Sequence, residues 1–532
     1  MQMLSLSSCA QIKPVTGGEK DTIAPKLDTL NSTQNFQTNF QKQEIKLLFN
    51  EFVQLKDIGT QIVISPPLEK PFKVKLNRYR NVVFEFDEAE ELKKDVTYTI
   101  NFGESIRDFT EGNEVDYNFV FSTGDFIDSL EVRGAVRDAF TNEPKKDVLF
   151  MLYESLADTV PLTQRPFYFG RTNEQGQVII KNVKADTFKV FVLEDADINY
   201  KYNQESEGIG FLDSLIVVTD SFDTKINIQF SQPRTTLKLQ KKTQDLFGKI
   251  QLNFNRKPFD AELTYDDIGQ RYWQETDIDT INIWYDTKIG DDWNLYFKQD
   301  TIIDTTFVEK LARDEFINTT KLTTLKNGAR SNRASPIKPK ETIQLLFNHP
   351  IDSINIDKIV MLEDTLLKVV QPKISIDSVN LRQVNVAYAY KETLPYKLVI
   401  ADGAFKDWYG LSNDSIVNNY KVLEAKELGN ILLTLDSLDA TQNYVYKLID
   451  KSDKVIDEGV LKQKTSFQKD YIGLAPGKYF LRIIKDENGN GRWDPANYYE
   501  KKQAERIFDA PIEELRANWD VEAKVLYKET IL

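Results

Sequence analysis

The sequence predicts an all-β protein built as tandem β-sandwich domains, and three observations predict it. Residues suited to the half-buried surface of a sheet are abundant: 23 Tyr and 32 Phe stand against only 4 Met. Apolar and polar residues alternate over short runs, as in "IKLLFN" (45–50), where Ile45, Leu47 and Phe49 share one strand face. The length of 532 residues exceeds what one hydrophobic core spans, so several domains are required. Apolar residues at 41% and charged residues at 28% belong to folded modules rather than to disorder. The net charge of −14 argues against nucleic acid as a partner, since that needs a basic surface. No run of eighteen apolar residues is present, so no transmembrane helix is read.

The first element is "LSLSSCAQ" (4–11), which holds the sole cysteine, Cys9. Leu6-Ser7-Ser8-Cys9 has the form of a bacterial lipobox: an aliphatic residue, two small residues and the Cys whose thiol receives a diacylglyceryl group. What precedes it lacks a basic n-region and holds only a stub of an apolar h-region, so a complete signal peptide would begin upstream. The following "AQIKPVTGGEKDTIAP" is polar, carries Pro and paired Gly, and has no strand periodicity, as a tether would. The expectation is an N-terminal lipid on Cys9 that anchors the chain to a bilayer. Residues 1–24 are read as this lipobox remnant and tether.

The strand "IKLLFN" recurs as "IQLNFN" (250–255) and "IQLLFN" (343–348). The first and third copies extend further. "LKKDVTYTINFGESIRDFTEGN" (92–113) is echoed by "KETLPYKLVIADGAFKDWYGLSN" (391–413), with Asp108 matching Asp407 and Asn113 matching Asn413. A spacing of 298 to 300 residues marks a duplicated module. With "APKLDTL", "QIVISPP" and "NFVFSTGD", the first copy resembles the bacterial Ig-like domain of the SbsA type, over residues 25–124. The tether resembles the start of Ig-like outer-membrane lipoproteins of Bacteroidota. The resemblance implies β-sandwiches for 25–124 and for the looser copy at 336–424.

A second repeat lies 291 residues apart: "DTFKVFVLEDADINYKYN" (186–203) aligns with "GKYFLRIIKDENGNGRWD" (477–494). Each follows a turn and a strand, and the segments resemble the small prealbumin-like or CnaB-like sandwich. The expected order is therefore Ig-like (25–124), prealbumin/CnaB-like (125–235), a middle β-sandwich (236–335), Ig-like (336–424) and prealbumin/CnaB-like (425–532). In "DENGNGRWD", Asp486, Asn488, Asn490, the Arg492 carbonyl and Asp494 take the spacing of oxygen ligands for Ca2+, with Gly491 at the turn. Position 12 is Asn497 rather than a bidentate Glu, and Tyr200 replaces the Gly in the first copy. The competing reading is a tight Asx turn between strands, and it is the favoured one for both loops.

No catalytic constellation is legible. The single histidine, His349, excludes multi-histidine zinc sites, and no Walker loop, dinucleotide fingerprint or nucleophile elbow is present. Carboxylate pairs for glycoside hydrolysis cannot be singled out among 82 acids. The densest aromatics fall in "YWQETDIDTINIWYDTKIGDDWNLYF" (272–297), where Trp273, Trp284 and Trp293 are candidates for a sugar-stacking platform. Alternation in "TINIWY" and "WNLYF" favours core packing for Ile281, Ile283 and Tyr285 and for Trp293, Leu295 and Phe297, whereas Trp284 points away from its apolar neighbours.

The reading that fits best is a non-enzymatic, lipid-anchored envelope protein. It would serve as a scaffold or accessory subunit of an outer-membrane complex, its partners being outer-membrane barrels and other lipoproteins. By the resemblance, β-barrel assembly or export machinery is the machine in view. The alternative is a glycan-binding surface lipoprotein. The expected location is the outer membrane at the cell surface; "AQIK" after Cys9 lacks an acidic export cluster, so the periplasmic face stays open.

Overall fold

The computed structural model describes residues 21–219, 224–266, 271–285, 292–299, 302–309, 311, 313–326 and 334–528. Cys9 lies outside them. The fold is all-β: paired sheets form sandwiches in tandem, within two compact units of the chain.

In the first unit, strands Ile45–Leu48, Asn81–Glu85 and Lys73–Asn77 make one antiparallel sheet of the first sandwich. Val63–Ser65, Thr97–Asn101 and Asn118–Ser122 make the facing sheet. The alternation read from the sequence is realised here: Ile45, Leu47 and Phe49 are buried against Ile100, Phe119 and Phe121. In the second sandwich, Leu130–Asp138 pairs antiparallel with Gln177–Val183 and parallel with Thr224–Phe230. The opposing sheet is built on Leu149–Tyr153 and Asp186–Leu193. Gly134 lets the two sheets close, because a Cβ there would sit 2.5 Å from the Phe150 ring. Residues 494–505 belong to this unit: the Tyr498 ring meets Phe191 and Phe211 edge-on at 5.2 and 5.1 Å, and Ala496 N–H donates to Ser231 Oγ at 2.9 Å.

The outer face of the first sandwich is covered by the second. Thr99 Oγ1 donates to Asn182 Oδ1 at 3.3 Å, Phe169 N–H donates to Ser65 Oγ at 3.3 Å, and Asp128 N–H donates to Thr97 Oγ1 at 2.9 Å.

The second unit holds three sandwiches. The middle one sets Leu239–Leu246, Lys249–Phe254, Thr280–Tyr285 and Tyr272–Asp277 against Glu262–Tyr265, Trp293–Gln299 and Ile302–Val308. The fourth repeats the first: Ile343–Phe347 and Gln383–Ala387 face Ile416–Val422, Pro395–Ile400 and Ile359–Glu363. The last repeats the second, with Gly429–Asp436 pairing parallel to Asp520–Leu526 beside a sheet built on Asn443–Asp450 and Tyr479–Asp486.

The duplication extends to a polar detail. Tyr98 Oη accepts from Lys93 N–H at 2.8 Å, and Tyr396 Oη accepts from Lys391 N–H at 2.9 Å, 298 residues later. Tyr396 alone also donates to buried Glu363, at 2.9 Å, whose carboxyl the Lys391 ammonium holds below its usual range. Tyr98→Phe should therefore cost about 1 kcal/mol, and Tyr396→Phe about 1.5–3 kcal/mol, because the second deletion strips a bond from a charged group. Urea unfolding of the two variants checks the order.

Candidate functional site

The single histidine sits at a joint between domains. His349 Nδ1 lies 2.8 Å from Asp407 Oδ2, and both side chains are buried. The imidazole is walled by the rings of Phe316, Tyr409 and Trp284 at centroid distances of 5.5, 5.7 and 6.1 Å. Tyr409 Oη donates to the carbonyl of Gly248 in the middle sandwich at 2.8 Å. The pair ties the loop after Phe347 to strand Phe405–Asp407 and shares that packed joint.

Trp284 fills the same joint. Its indole Nε1 donates to Glu275 Oε1 at 3.2 Å, Arg382 Nε donates to Glu275 Oε2 at 3.2 Å, and Lys249 Nζ stands 4.9 Å from its ring. Burial, and then the Arg382 charge, depress the Lys249 ammonium. The sequence placed Trp284 opposite its apolar neighbours, and that is where it is; the fourth sandwich covers that face, so the sheet is buried on both sides. Ile281, Ile283, Tyr285, Trp293, Leu295 and Phe297 form the core of the middle sandwich. Trp273 is half-buried and donates its indole N–H to the Val379 carbonyl at 3.1 Å. Trp273, Trp284 and Trp293 therefore form no exposed platform: a second domain consumes the face on which one would stand.

The two repeated loops have the same backbone design. Asp195 accepts from the N–H groups of Asn199 and Tyr200, at 3.2 and 2.8 Å; Asp486 accepts from those of Asn490 and Gly491, at 3.0 and 2.8 Å. Ile198 and Tyr200 take φ of 60° and 64°, where Gly489 and Gly491 take 74° and 77°. The left-handed turn that glycine allows freely is thus imposed on an Ile and a Tyr in the first copy, at a cost of about 1–2 kcal/mol each. In the C-terminal loop, Asp486, Asn488 and Asn490 serve as acceptors for the loop's own backbone. Asp494 is paired with Arg234 at 2.6 Å and Arg492 N–H donates to Asn490 Oδ1 at 3.0 Å. The convergence of acids occurs in the first copy instead. Asp195, Asp197 and Glu207 bring carboxylate oxygens within 4.8 Å of one another, the only such group of three among the described residues and a spacing that one hard cation spans. Glu207 was missed in the sequence because it follows the repeat, 12 residues after Asp195.

Tyr200 also lines a cleft of about 230 Å3 between the first two sandwiches, with Ile64, Leu68, Phe72, Arg165 and Phe169. Its ring meets Phe169 edge-on at 4.9 Å, and Arg165 reaches over it to donate to the Leu68 carbonyl at 3.0 Å.

An apolar surface is open on the fourth sandwich. On the outer face of the fourth sandwich, Val360, Val399 and Val417 stand in one cross-strand row, and Val369 continues it beside Leu362. Val360, Val369 and Val417 are 36%, 57% and 45% exposed. The corresponding face of the first sandwich is the one its neighbour covers. The signal for this row was present in "IVMLE" and "IVNNYKV", which are apolar on both strand faces at Val360 and Val417.

Residues 21–123 match the bacterial Ig-like domain family. No curated protein matches the chain. Among solved structures, the Bacillus anthracis TIE protein is similar at 10% identity over 97% of this chain and 76% of its own, with a TM-score of 0.16. SGBP-B of the Bacteroides ovatus mixed-linkage glucan utilization locus, solved with a mixed-linkage heptasaccharide, is similar at 9% identity over 64% and 87%, with a TM-score of 0.18. Domains 1–6 of the surface-layer protein SbsC are similar at 9% over 88% and 66%, with a TM-score of 0.14. Scores this low speak neither for a shared whole-chain arrangement nor for a shared activity. Among the described residues, no helix is long and apolar enough to cross a membrane.

Two outcomes are expected. Trp284→Ala should lower the stability of the second unit by about 3–5 kcal/mol, as truncation of a buried Trp does, with guanidinium unfolding as the measurement; a surface platform would leave the midpoint unmoved. Burial raises the Asp195 carboxyl above its ordinary 3.8, with neighbouring Asp197 adding to the rise against the backbone bonds from Tyr200 and Asn199. The folded loop then holds the Asp195 proton longer than the unfolded chain does, so the contribution of Asp195 is highest below the unfolded pKa and falls as pH rises through the raised one, while Asp197, held low against desolvation by its bond to Asp195, contributes with the opposite sign. Amide exchange at Asn199 and Tyr200, corrected for intrinsic rates, should show stronger protection below pH 3.8 than at neutral pH in the wild type, and Asp195→Asn should remove that difference.

Proposed function

We propose that this chain is a lipid-anchored envelope protein, held through Cys9, that acts without catalysis as a scaffold or accessory subunit of an outer-membrane protein complex. The observation that carries the reading is the open valine row on the fourth sandwich. The same face of the duplicated module is covered by a neighbouring sandwich in the first copy, so in the second copy it is a surface suited to a protein partner with an apolar sheet face. Exposed contiguous apolar surface of this kind marks interaction sites. The internal use of the polar groups also supports the reading: His349, Asp407, Glu275 and Arg382 are spent on holding one joint together. The match of residues 21–123 to bacterial Ig-like domains is compatible with an envelope location.

A second reading, a glycan-binding surface lipoprotein, draws on the cleft lined by Phe72, Phe169, Tyr200 and Arg165, which offers aromatic faces and one guanidinium to a small ligand. The two readings part in one experiment. Tagged full-length protein, extracted in mild detergent from its own cells, should bring down an outer-membrane barrel in stoichiometric amount, identified by mass spectrometry. Val360→Asp with Val417→Asp should abolish that recovery, and Cys9→Ala should move the chain to the soluble fraction. Recovery of the wild-type chain alone sinks the scaffold and directs attention to oligosaccharide binding at the cleft.

A further inference from the structure

At one end of the first sandwich, three aromatic side chains stand in the open. Phe52, Tyr79 and Phe109 are 52%, 60% and 54% exposed, yet they touch one another: Tyr79 lies 6.0 Å from each of the other two rings. They come from three separate loops that backbone bonds lock together. Phe109 N–H donates to the Phe52 carbonyl at 3.0 Å, and Val53 N–H donates to the Tyr79 carbonyl at 2.7 Å. Arg78 and Tyr79 both take left-handed φ, 52° and 59°, a conformation that L side chains adopt at a cost. Arg80 lays its guanidinium 4.8 Å from the Phe52 ring. The cluster is thus pre-set, and its apolar surface faces outward.

The duplicated module shows what this end does when it has a neighbour. In the fourth sandwich Trp408 stands where Phe109 does, and its N–H donates to the Pro350 carbonyl at 3.1 Å, as Phe109 does to Phe52. Ile351 N–H donates to the Leu381 carbonyl at 2.9 Å, as Val53 does to Tyr79. That end is capped by the preceding domain: Arg271 stacks on Trp408 at 4.7 Å, and Trp273 bonds the Val379 carbonyl. In that copy the loop end of the module docks on the domain immediately upstream. In the first copy the upstream chain enters at the same end, where Asn113 Nδ2 donates to the carbonyls of Asp21 and Ile23 at 3.0 and 3.2 Å, and Ile23 is itself 59% exposed. From Asp21 only 12 residues lead back to Cys9, a reach of at most about 40 Å.

We infer that Phe52, Tyr79 and Phe109, with Ile23, form a membrane-contact site that sinks into the interfacial layer of the bilayer to which the chain is anchored. Tyr79, an aromatic with one polar tip, favours that layer, Phe52 and Phe109 supply apolar area to it, and Arg78 and Arg80 on the rim reach toward lipid phosphates. Glu51 and Glu111 share the rim, so apolar insertion rather than net charge carries the contact, and binding should change little with salt. The first sandwich is then seated on the lipid surface, and its tether sets only its position along that surface. The inference rests on the anchored reading above, and its test separates the two.

The test uses the full-length chain with Cys9→Ser, held to vesicles of phosphatidylethanolamine and phosphatidylglycerol by an N-terminal hexahistidine tag on a nickel-chelating lipid. Acylation is then not needed, and Tyr79→Cys supplies the only thiol for an environment-sensitive fluorophore. On vesicles the label at 79 should brighten, become shielded from iodide and be quenched by nitroxide-bearing acyl chains. The same label at exposed Lys94, next to Asp95, which lies against Gly124 where the chain leaves the domain, should do none of these. Phe52→Ser with Phe109→Ser, both at exposed positions, should cut the nitroxide quenching by roughly tenfold, equivalent to about 1.4 kcal/mol in partitioning, with an unchanged thermal transition. A label at 79 that stays as open to iodide as in free solution overturns the inference. So does one that becomes shielded only when outer-membrane proteins are added, which would make the cluster a protein contact. If the wild-type chain takes up no lipid on Cys9 in its own cells, the anchor fails separately, whatever the vesicles show.

Discussion

A carboxylate that accepts the backbone N–H groups of its own loop is the interaction on which the rest of this molecule depends. Asp108 accepts from Thr110 and Glu111, and Asp407 accepts from Tyr409 and Leu411, each turning the chain out of the strand that carries the module's loop end. Asp195 and Asp486 do the same in the repeated sandwich. Without Asp407 the Tyr409 and Leu411 amides would be left unsatisfied in a buried loop. Asp138, Asp377 and Asp439 follow the same habit, each accepting from backbone N–H of its own turn.

Much of the fold was legible because strands write a two-residue period into the sequence. Ile45, Leu47 and Phe49, and again Ile343, Leu345 and Phe347, are buried as their alternation requires. Repeats placed the duplicated modules because the same turns demand the same Asp and Asn. The favoured reading of the aromatics, core packing, is realised in Ile281, Ile283, Tyr285, Trp293, Leu295 and Phe297, but a period cannot say whether the opposite face is exposed. Alternation says which side of a strand Trp284 occupies, but only tertiary packing decides whether another domain closes over that side. Glu207 joined the acid group for a similar reason, through a loop closure that no local pattern encodes. The exposed valines of the fourth sandwich did leave a trace, in strands apolar on both faces, which for a one-sided sheet is a conflict worth noticing.

Duplication makes the molecule its own comparison. The first and fourth sandwiches share their strand pairings, their tyrosine–backbone bond and their loop-end bonds, so differences between them isolate what each copy is used for. The outer sheet face is covered in the first copy and open in the fourth. The loop end is open in the first copy and capped in the fourth. Among the described residues, the outer sheet face meets a neighbouring sandwich in the first copy and carries exposed valines in the fourth.

The parallel pairing in the second sandwich has a mechanical consequence. Leu130–Asp138, near where the chain enters this domain, lies beside Thr224–Phe230, near where it leaves, with seven residues in register from Thr224 against Val132 to Phe230 against Asp138. Tension applied to the two ends of the domain pulls these strands past each other, so the bonds between them bear the load together rather than opening one after another. The last sandwich repeats the arrangement through Gly429–Asp436 and Asp520–Leu526. Each copy of this sandwich is thereby a link that resists being drawn out along the chain.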